Sequence, residues 1–210
     1  MSFKELSYSD YVLYFLILGI PLTLLSGPFL PDLSVSIVAI VFLFKLRTQN
    51  LKKYFNNKFF YFFFTFYLFL VFSSLLSDNI IFSLKSSLFY FRFIIFSLAV
   101  WYIIDHSKNF LNIFTWFLAL VFTIAIINGY YQFYHGANFF GFSTYHPDRL
   151  TLTFDNKLIL GGYLSRIFPL LLALVIFTSK RKNHQILAVS LMYILIDTII
   201  FLSGERTALY

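Results

Sequence analysis

Residues 110–131 read Phe-Leu-Asn-Ile-Phe-Thr-Trp-Phe-Leu-Ala-Leu-Val-Phe-Thr-Ile-Ala-Ile-Ile-Asn-Gly-Tyr-Tyr, a run without one charged side chain. Crossing the hydrocarbon of a bilayer takes about 20 such residues, in a helix that closes every backbone hydrogen bond within itself. Working outward from this run, further apolar stretches occupy 59–76, 86–104, 158–178 and 185–202. Two weaker ones, at 11–30 and 33–46, are interrupted by Pro21, Gly27, Pro28 and Pro31, and the second is short for a full span. These two are expected to form a tight or re-entrant helical hairpin. The pattern predicts an all-α, polytopic membrane bundle of about seven transmembrane helices. A single transmembrane domain over 1–210 is expected, with one longer loop at 132–157.

Composition agrees. The chain is 60% hydrophobic and only 12% charged, with a mean hydropathy of +0.80, whereas an ordinary globular domain carries about 25% charged residues. The 31 Phe and 15 Tyr are read as lipid-facing surface and not as a stacking site for a ligand. Zero cysteines exclude disulfides, thiolate metal sites and cysteine nucleophiles. Lys4 precedes the first apolar run, and no small-residue cleavage site follows Leu25, so that run reads as a retained helix.

A net charge of +7 raises nucleic acid as a partner. The charges lie in short connectors, however, which is how membrane topology is written, and no nucleic acid is expected. Connector 45–58 holds Lys45, Arg47, Lys52, Lys53 and Lys58 without an acid. Connector 179–184 holds Lys180, Arg181 and Lys182, again without one. Four runs separate these connectors, an even number, so both reach the same, cytoplasmic, side together with the weaker connector around Asp105, His106 and Lys108. The turn at Asp78, the 132–157 loop and the end of the last helix at Ser203 then fall on the opposite face, and the N-terminus is cytoplasmic.

Arginines break the rule on that opposite face. Arg92 lies near the start of the fourth run, Arg149 in the loop, Arg166 about two turns into the sixth run, and Arg206 after the seventh. An intramembrane arginine costs at least about 2.5–3.5 kcal/mol on insertion scales, so four at one depth ask for an anionic partner. Separate structural explanations exist for three of them. Snorkelling to headgroups accounts for Arg92. Asp197, about 8 Å below the end of the next helix at 1.5 Å per residue, is a candidate ion-pair partner for Arg166. Glu205 is a neighbour for Arg206. None covers all four. A planar guanidinium takes phosphate through two parallel hydrogen bonds and keeps its charge. The arginines therefore suit a pyrophosphate or an organic anion.

Three stretches narrow this: Asn128-Gly129-Tyr130-Tyr131-Gln132, then Asp148-Arg149-Leu150-Thr151-Leu152-Thr153-Phe154, then Leu160-Gly161-Gly162-Tyr163-Leu164-Ser165-Arg166-Ile167-Phe168-Pro169. With the terminal Phe201-Leu202-Ser203-Gly204-Glu205-Arg206-Thr207-Ala208-Leu209, they resemble the O-antigen ligase and polymerase family over about half the chain. Glu205 stands where that family more usually has a small polar residue. The resemblance implies an all-helical glycosyltransferase of the bacterial inner membrane. Such an enzyme moves a glycan from an undecaprenyl-pyrophosphate carrier to an acceptor (a glycan, lipid A core or a protein) on the periplasmic side, in lipopolysaccharide or other polysaccharide biosynthesis, with no metal, nucleotide sugar or other cofactor. It also implies Arg149, Arg166 and Arg206 as pyrophosphate-binding residues; the charge pattern itself adds Asp197, Arg92 and Glu205 as supporting residues. The family's base is a histidine in a large later periplasmic loop. His135 and His146 do not stand in that context, so no catalytic base is assigned, and the chain is expected to be the N-terminal part of a longer protein. The rival reading is a transporter or flippase with an arginine-lined anion path. No inverted repeat is seen to favour it, and a purely structural subunit leaves the arginines unexplained.

Overall fold

The structure, a computed structural model, describes residues 7–48, 52–143, 149–154, 159–178 and 182–204. The described residues are mostly helical, with no strand among them beyond one isolated bridge between Ala137 and Ser143. Helices α1 (Tyr8–Leu24) and α2 (Phe29–Thr48) are followed by the short α3 (Lys52–Phe55). Then come α4 (Lys58–Leu75), α5 (Ile80–Phe89), α6 (Phe91–His106), α7 (Phe110–His135), α8 (Leu160–Thr178) and α9 (Lys182–Ser203). Among the described residues five helices are long and apolar enough to cross a membrane: α4, the combined Ile80–His106, α7, α8 and the Ile186–Ser203 part of α9. This is a multi-pass membrane protein. The α1 helix is apolar but shorter, at 17 residues.

Two compact units divide the chain. The first contains residues 1–20 and 29–108, the second residues 21–28 and 109–210.

In the first unit α2 packs along α6, burying Val35, Val38, Ala39 and Phe42 against Ile94, Ile95, Leu98 and Ala99. The α1–α2 break falls at 25–28, ahead of the expected position, because Pro31 enters the first turn of α2. There its missing N–H would have had no intrahelical partner anyway. Lys45, expected as a connector charge, is buried on α2. Its ammonium pairs with Asp10 of α1, donates to Ser7 at 3.2 Å and lies 4.9 Å over the Tyr102 ring. This pair ties the start of α1 to the end of α2, making them an antiparallel hairpin. At the same end of the unit, Asp105 accepts from Lys53 at 2.7 Å and from the Tyr54 hydroxyl at 3.0 Å. Burial, and then the Asp105 carboxylate, push the Tyr54 phenol above its ordinary value. Asn57 caps α4 by accepting from the Phe60 amide at 2.8 Å. The fourth expected run begins earlier than its apolar core, at Ile80, and is divided at Tyr90. Its 27 residues extend about 40 Å at 1.5 Å each, more than the roughly 30 Å of hydrocarbon requires.

In the second unit α8 packs on α9 and both pack on α7. The core joins Leu118, Phe122 and Ala125 of α7 with Leu164, Phe168 and Leu171 of α8 and Ile196, Ile199 and Ile200 of α9. Gly129 permits the close approach of α7 to α9, since a Cβ there would meet Ile199 Cδ1 at 3.0 Å. The α7 helix ends at Gly136, whose φ of 75° is left-handed and whose N–H closes the last turn on Gln132.

Candidate functional site

The Gly136 end of the second unit gathers the end of α7, the start of α8, the end of α9 and the loop between α7 and α8. Apolar helices cannot fix an irregular loop, so the loop is held by amide side chains. Gln132, fully buried in the last turn of α7, accepts from the Leu152 amide at 2.9 Å and donates to the Phe142 carbonyl at 3.4 Å. Asn138, also buried, donates to the Leu152 carbonyl at 2.7 Å and accepts from the Phe140 and Phe142 amides, both at 2.9 Å. Asn128, one turn below Gln132, accepts from the Phe139 amide at 3.0 Å. Both peptide groups of Leu152 are thus satisfied while it sits at φ 49°, a left-handed conformation that is costly for leucine.

This frame delivers Arg149. The next amide, Leu150 N–H, bonds the Leu202 carbonyl at the end of α9 at 3.1 Å. The Arg149 side chain packs over Gly204, where a Cβ would come within 2.9 Å of Nε and 3.1 Å of Cδ. With φ at 65°, Gly204 is required both by its backbone and by this contact. The loop arginine and the end of α9 therefore meet. Arg206 and Glu205 lie outside the described residues, as do His146 and the 179–181 connector. Two residues after Arg149, the Thr151 hydroxyl is buried without a hydrogen-bond partner among the described residues.

Arg166 occupies a different part of this end. Six residues into α8, about 9 Å from the helix start, it is exposed and lines an open cavity of about 480 Å³. The same helix adds Gly162, Tyr163 and Ile167, and Phe154 and Ile159 contribute from the chain that enters it. Leu24, Gly27 and Pro28 complete the cavity from the α1–α2 turn. Arginine is the only charged side chain among these residues.

The ion pair envisaged between Arg166 and Asp197 does not form. The salt bridges among the described residues are Lys45–Asp10, Lys53–Asp105 and Arg92–Asp32, and both Arg166 and Asp197 are exposed. Snorkelling of Arg92 is likewise replaced by a protein partner. Its guanidinium pairs with Asp32, donates to Ser36 at 3.3 Å and lies 5.1 Å over the Phe93 ring. Arg92 is thereby held within the first unit, whereas Arg149 and Arg166 belong to the second. His135 stacks on Tyr131, with ring centroids 4.1 Å apart, and its Nδ1 lies 3.1 Å from the Tyr131 carbonyl, as a helix-end residue would. Among the described residues no group of three or more His, Asp or Glu gathers as a metal site would need.

Sequence reasoning missed the α1–α2 turn as part of this end. Pro21, a proline within an apolar helix, was read only as an interruption. Comparisons with protein-family models, with curated proteins and with solved structures return no match.

Proposed function

We propose that this chain carries the donor-binding region of a membrane glycosyltransferase of the O-antigen ligase and polymerase type. In this reading it lies in the bacterial inner membrane with its N-terminus cytoplasmic. The Gly136 end of the second unit faces the periplasm and takes the pyrophosphate of an undecaprenyl-linked glycan. The observation that carries the reading is Arg166: an exposed guanidinium, with no acid paired to it among the described residues, in an otherwise apolar groove near a membrane-helix end. A group with one anionic head and an apolar tail complements that groove. Arg149, set on Gly204 two residues before Arg206, supplies a second cationic position at the same end. In the reaction an acceptor nucleophile attacks the anomeric carbon of the first sugar while the bond from that carbon to the pyrophosphate oxygen breaks. Negative charge then builds on the leaving group, and prearranged arginines stabilise that charge most where water is scarce. The charge-bearing fork matters here, since lysine offers a point charge without bidentate geometry.

The test uses the intact protein in cells lacking the wild-type copy. Arg166→Ala, which removes no ion pair seen among the described residues, should leave the amount of folded protein in the membrane unchanged and abolish glycan transfer. Arg166→Lys should retain a small fraction of activity. Normal transfer by a well-folded Arg166→Ala variant overturns the reading.

A further inference from the structure

The last carbonyls of a helix have no intrahelical donor. At the end of α1 the Leu22 and Thr23 carbonyls accept from the Leu25 and Ser26 amides at 3.1 and 3.0 Å, whereas the Pro21 carbonyl and that of Leu25, just past the helix, are met from elsewhere in the second unit. The Tyr163 hydroxyl of α8 donates to the Pro21 carbonyl at 2.9 Å, and the Thr153 hydroxyl donates to the Leu25 carbonyl. Tyr163 is itself fixed by its neighbours, stacked near-parallel with Phe122 and tilted against Phe154 at centroid distances of 6.4 and 6.0 Å. Thr153 follows Leu152, whose backbone is locked by Gln132 and Asn138. Two hydroxyls on rigid supports therefore grip a turn some 130–140 residues away in sequence, and that turn supplies Leu24, Gly27 and Pro28 to the groove that holds Arg166.

We infer that residues 21–28 form a binding wall of the Arg166 groove, placed against the apolar portion of a prenyl pyrophosphate, and that Tyr163 and Thr153 are the positioning residues that hold this wall in place. The inference rests on the reading of the groove as a lipid-pyrophosphate site and adds to it a segment outside the half of the chain that carries the family resemblance. Charge complementarity selects the occupant. Arg166 takes the anionic head, and the remaining side chains of the groove, Leu24, Pro28, Ile159 and Ile167 among them, accept hydrocarbon and offer nothing to a small hydrophilic anion. Tyr163 and Thr153 hold the wall through their hydroxyls, and the Tyr163 ring also lines the groove; Tyr163→Phe keeps that ring, so loss of the two hydroxyls weakens the wall's contact with the tail and leaves the charge on Arg166 intact.

The chain has no cysteine, so single thiols report without background. Leu24→Cys on the wall and Ile167→Cys on α8 are introduced separately into the full protein in membrane vesicles. Their modification rates by a small maleimide are then measured with and without farnesyl pyrophosphate. Protection at both positions is expected. Adding Tyr163→Phe with Thr153→Val should raise the farnesyl pyrophosphate concentration needed to protect Leu24→Cys by about tenfold, the order expected from two lost hydrogen bonds. Protection of Ile167→Cys should hardly change. Protection at Ile167→Cys alone overturns the wall while leaving the pyrophosphate site standing, and this arm needs no variant of the two hydroxyls. Protection at neither position overturns both. Unaltered protection of Leu24→Cys in the Phe/Val background removes Tyr163 and Thr153 from the positioning role.

Discussion

Leu152 carries its strain because two amide side chains hold its peptide groups. A non-glycine residue in the left-handed region costs about 1–2 kcal/mol, whereas a buried amide N–H left without a partner costs about 1–3 kcal/mol. The second quantity decides the first prediction. Gln132→Met keeps the volume of a buried side chain but strands the Leu152 N–H and should lower stability of the detergent-extracted protein by about 1–3 kcal/mol, read as a fall in unfolding midpoint. Leu152→Gly relieves the backbone yet should also destabilise, because removing a buried leucine side chain costs about 2–5 kcal/mol. A stabilised Leu152→Gly would show that the core around it is not packed as described. Arg149 inherits its position from this frame, so Arg149→Lys should reduce glycan transfer and Arg149→Ala reduce it further. Arg206 substitutions should behave alike and combine non-additively with those at Arg149, as expected of two groups acting on one leaving pyrophosphate. Additive losses in the double variant would separate the two arginines. Polar residues such as Gln132 and Asn138 are legible in sequence only as loop composition. What they bond to is set by tertiary geometry, and no local pattern distinguishes a buried frame amide from a solvated one.

At the scale of elements, the two ends of the α1–α2 hairpin behave differently from the helix between. Asp10 and Lys45 form a buried pair at one end, and breaking a buried pair from one side costs about 3–5 kcal/mol because the remaining charge stays desolvated. Lys45→Met and Asp10→Asn should therefore each lower stability by about that amount, while the double variant Asp10→Asn/Lys45→Met should recover much of the loss. Single variants of wild-type stability would mean the pair is dispensable. The α4 helix is the opposite case, with no buried residue along it, and exposed apolar changes such as Phe62→Leu should stay within about 0.5 kcal/mol. Most of the helix content was legible, because long apolar runs leave a chain few alternatives in hydrocarbon. Helix ends were not. Lys45 looked like a connector residue because charge normally ends a span, and only its pairing with a residue 35 positions earlier lets α2 run on. The serines and Lys85 of α5 concealed a helical start for the same reason: composition marks where lipid can be, while backbone hydrogen bonding marks where the helix is.

For the whole molecule the strongest sequence signal was charge placement, and it survives the reassignment of Lys45. Lys53 and Asp105 meet at one end of the first unit, which fits the expectation that the 45–58 and 105–109 connectors share a face. The proposed anionic site rests on a sequence signal, because arginines that break the positive-inside pattern need a reason. Its membership was only half legible, since Arg92 proved to have a local acid and the 21–28 turn carried no chemical signature. The last prediction follows from crossing parity. From Lys53 to Lys182 the chain runs through α4, the α5–α6 span, α7 and α8, an even number of passages, so both positions must lie on one side of the membrane whatever the arrangement of the two units. Basic residues crowd the connectors at both positions, and short basic connectors stay cytoplasmic. Single cysteines replacing Lys53 and Lys182 in this cysteine-free chain should be modified by an impermeant thiol reagent only after the membrane is opened to the cytoplasmic side. One replacing Thr144, three passages from Lys53, should react in intact spheroplasts. A reversed pattern for all three would place the Arg166 groove at the cytoplasmic face and remove the periplasmic donor reading with it. Reaction of Lys53 and Lys182 positions from opposite sides would require one of the four helices not to cross, and α4, which buries no residue in the described structure, would be the helix to examine first.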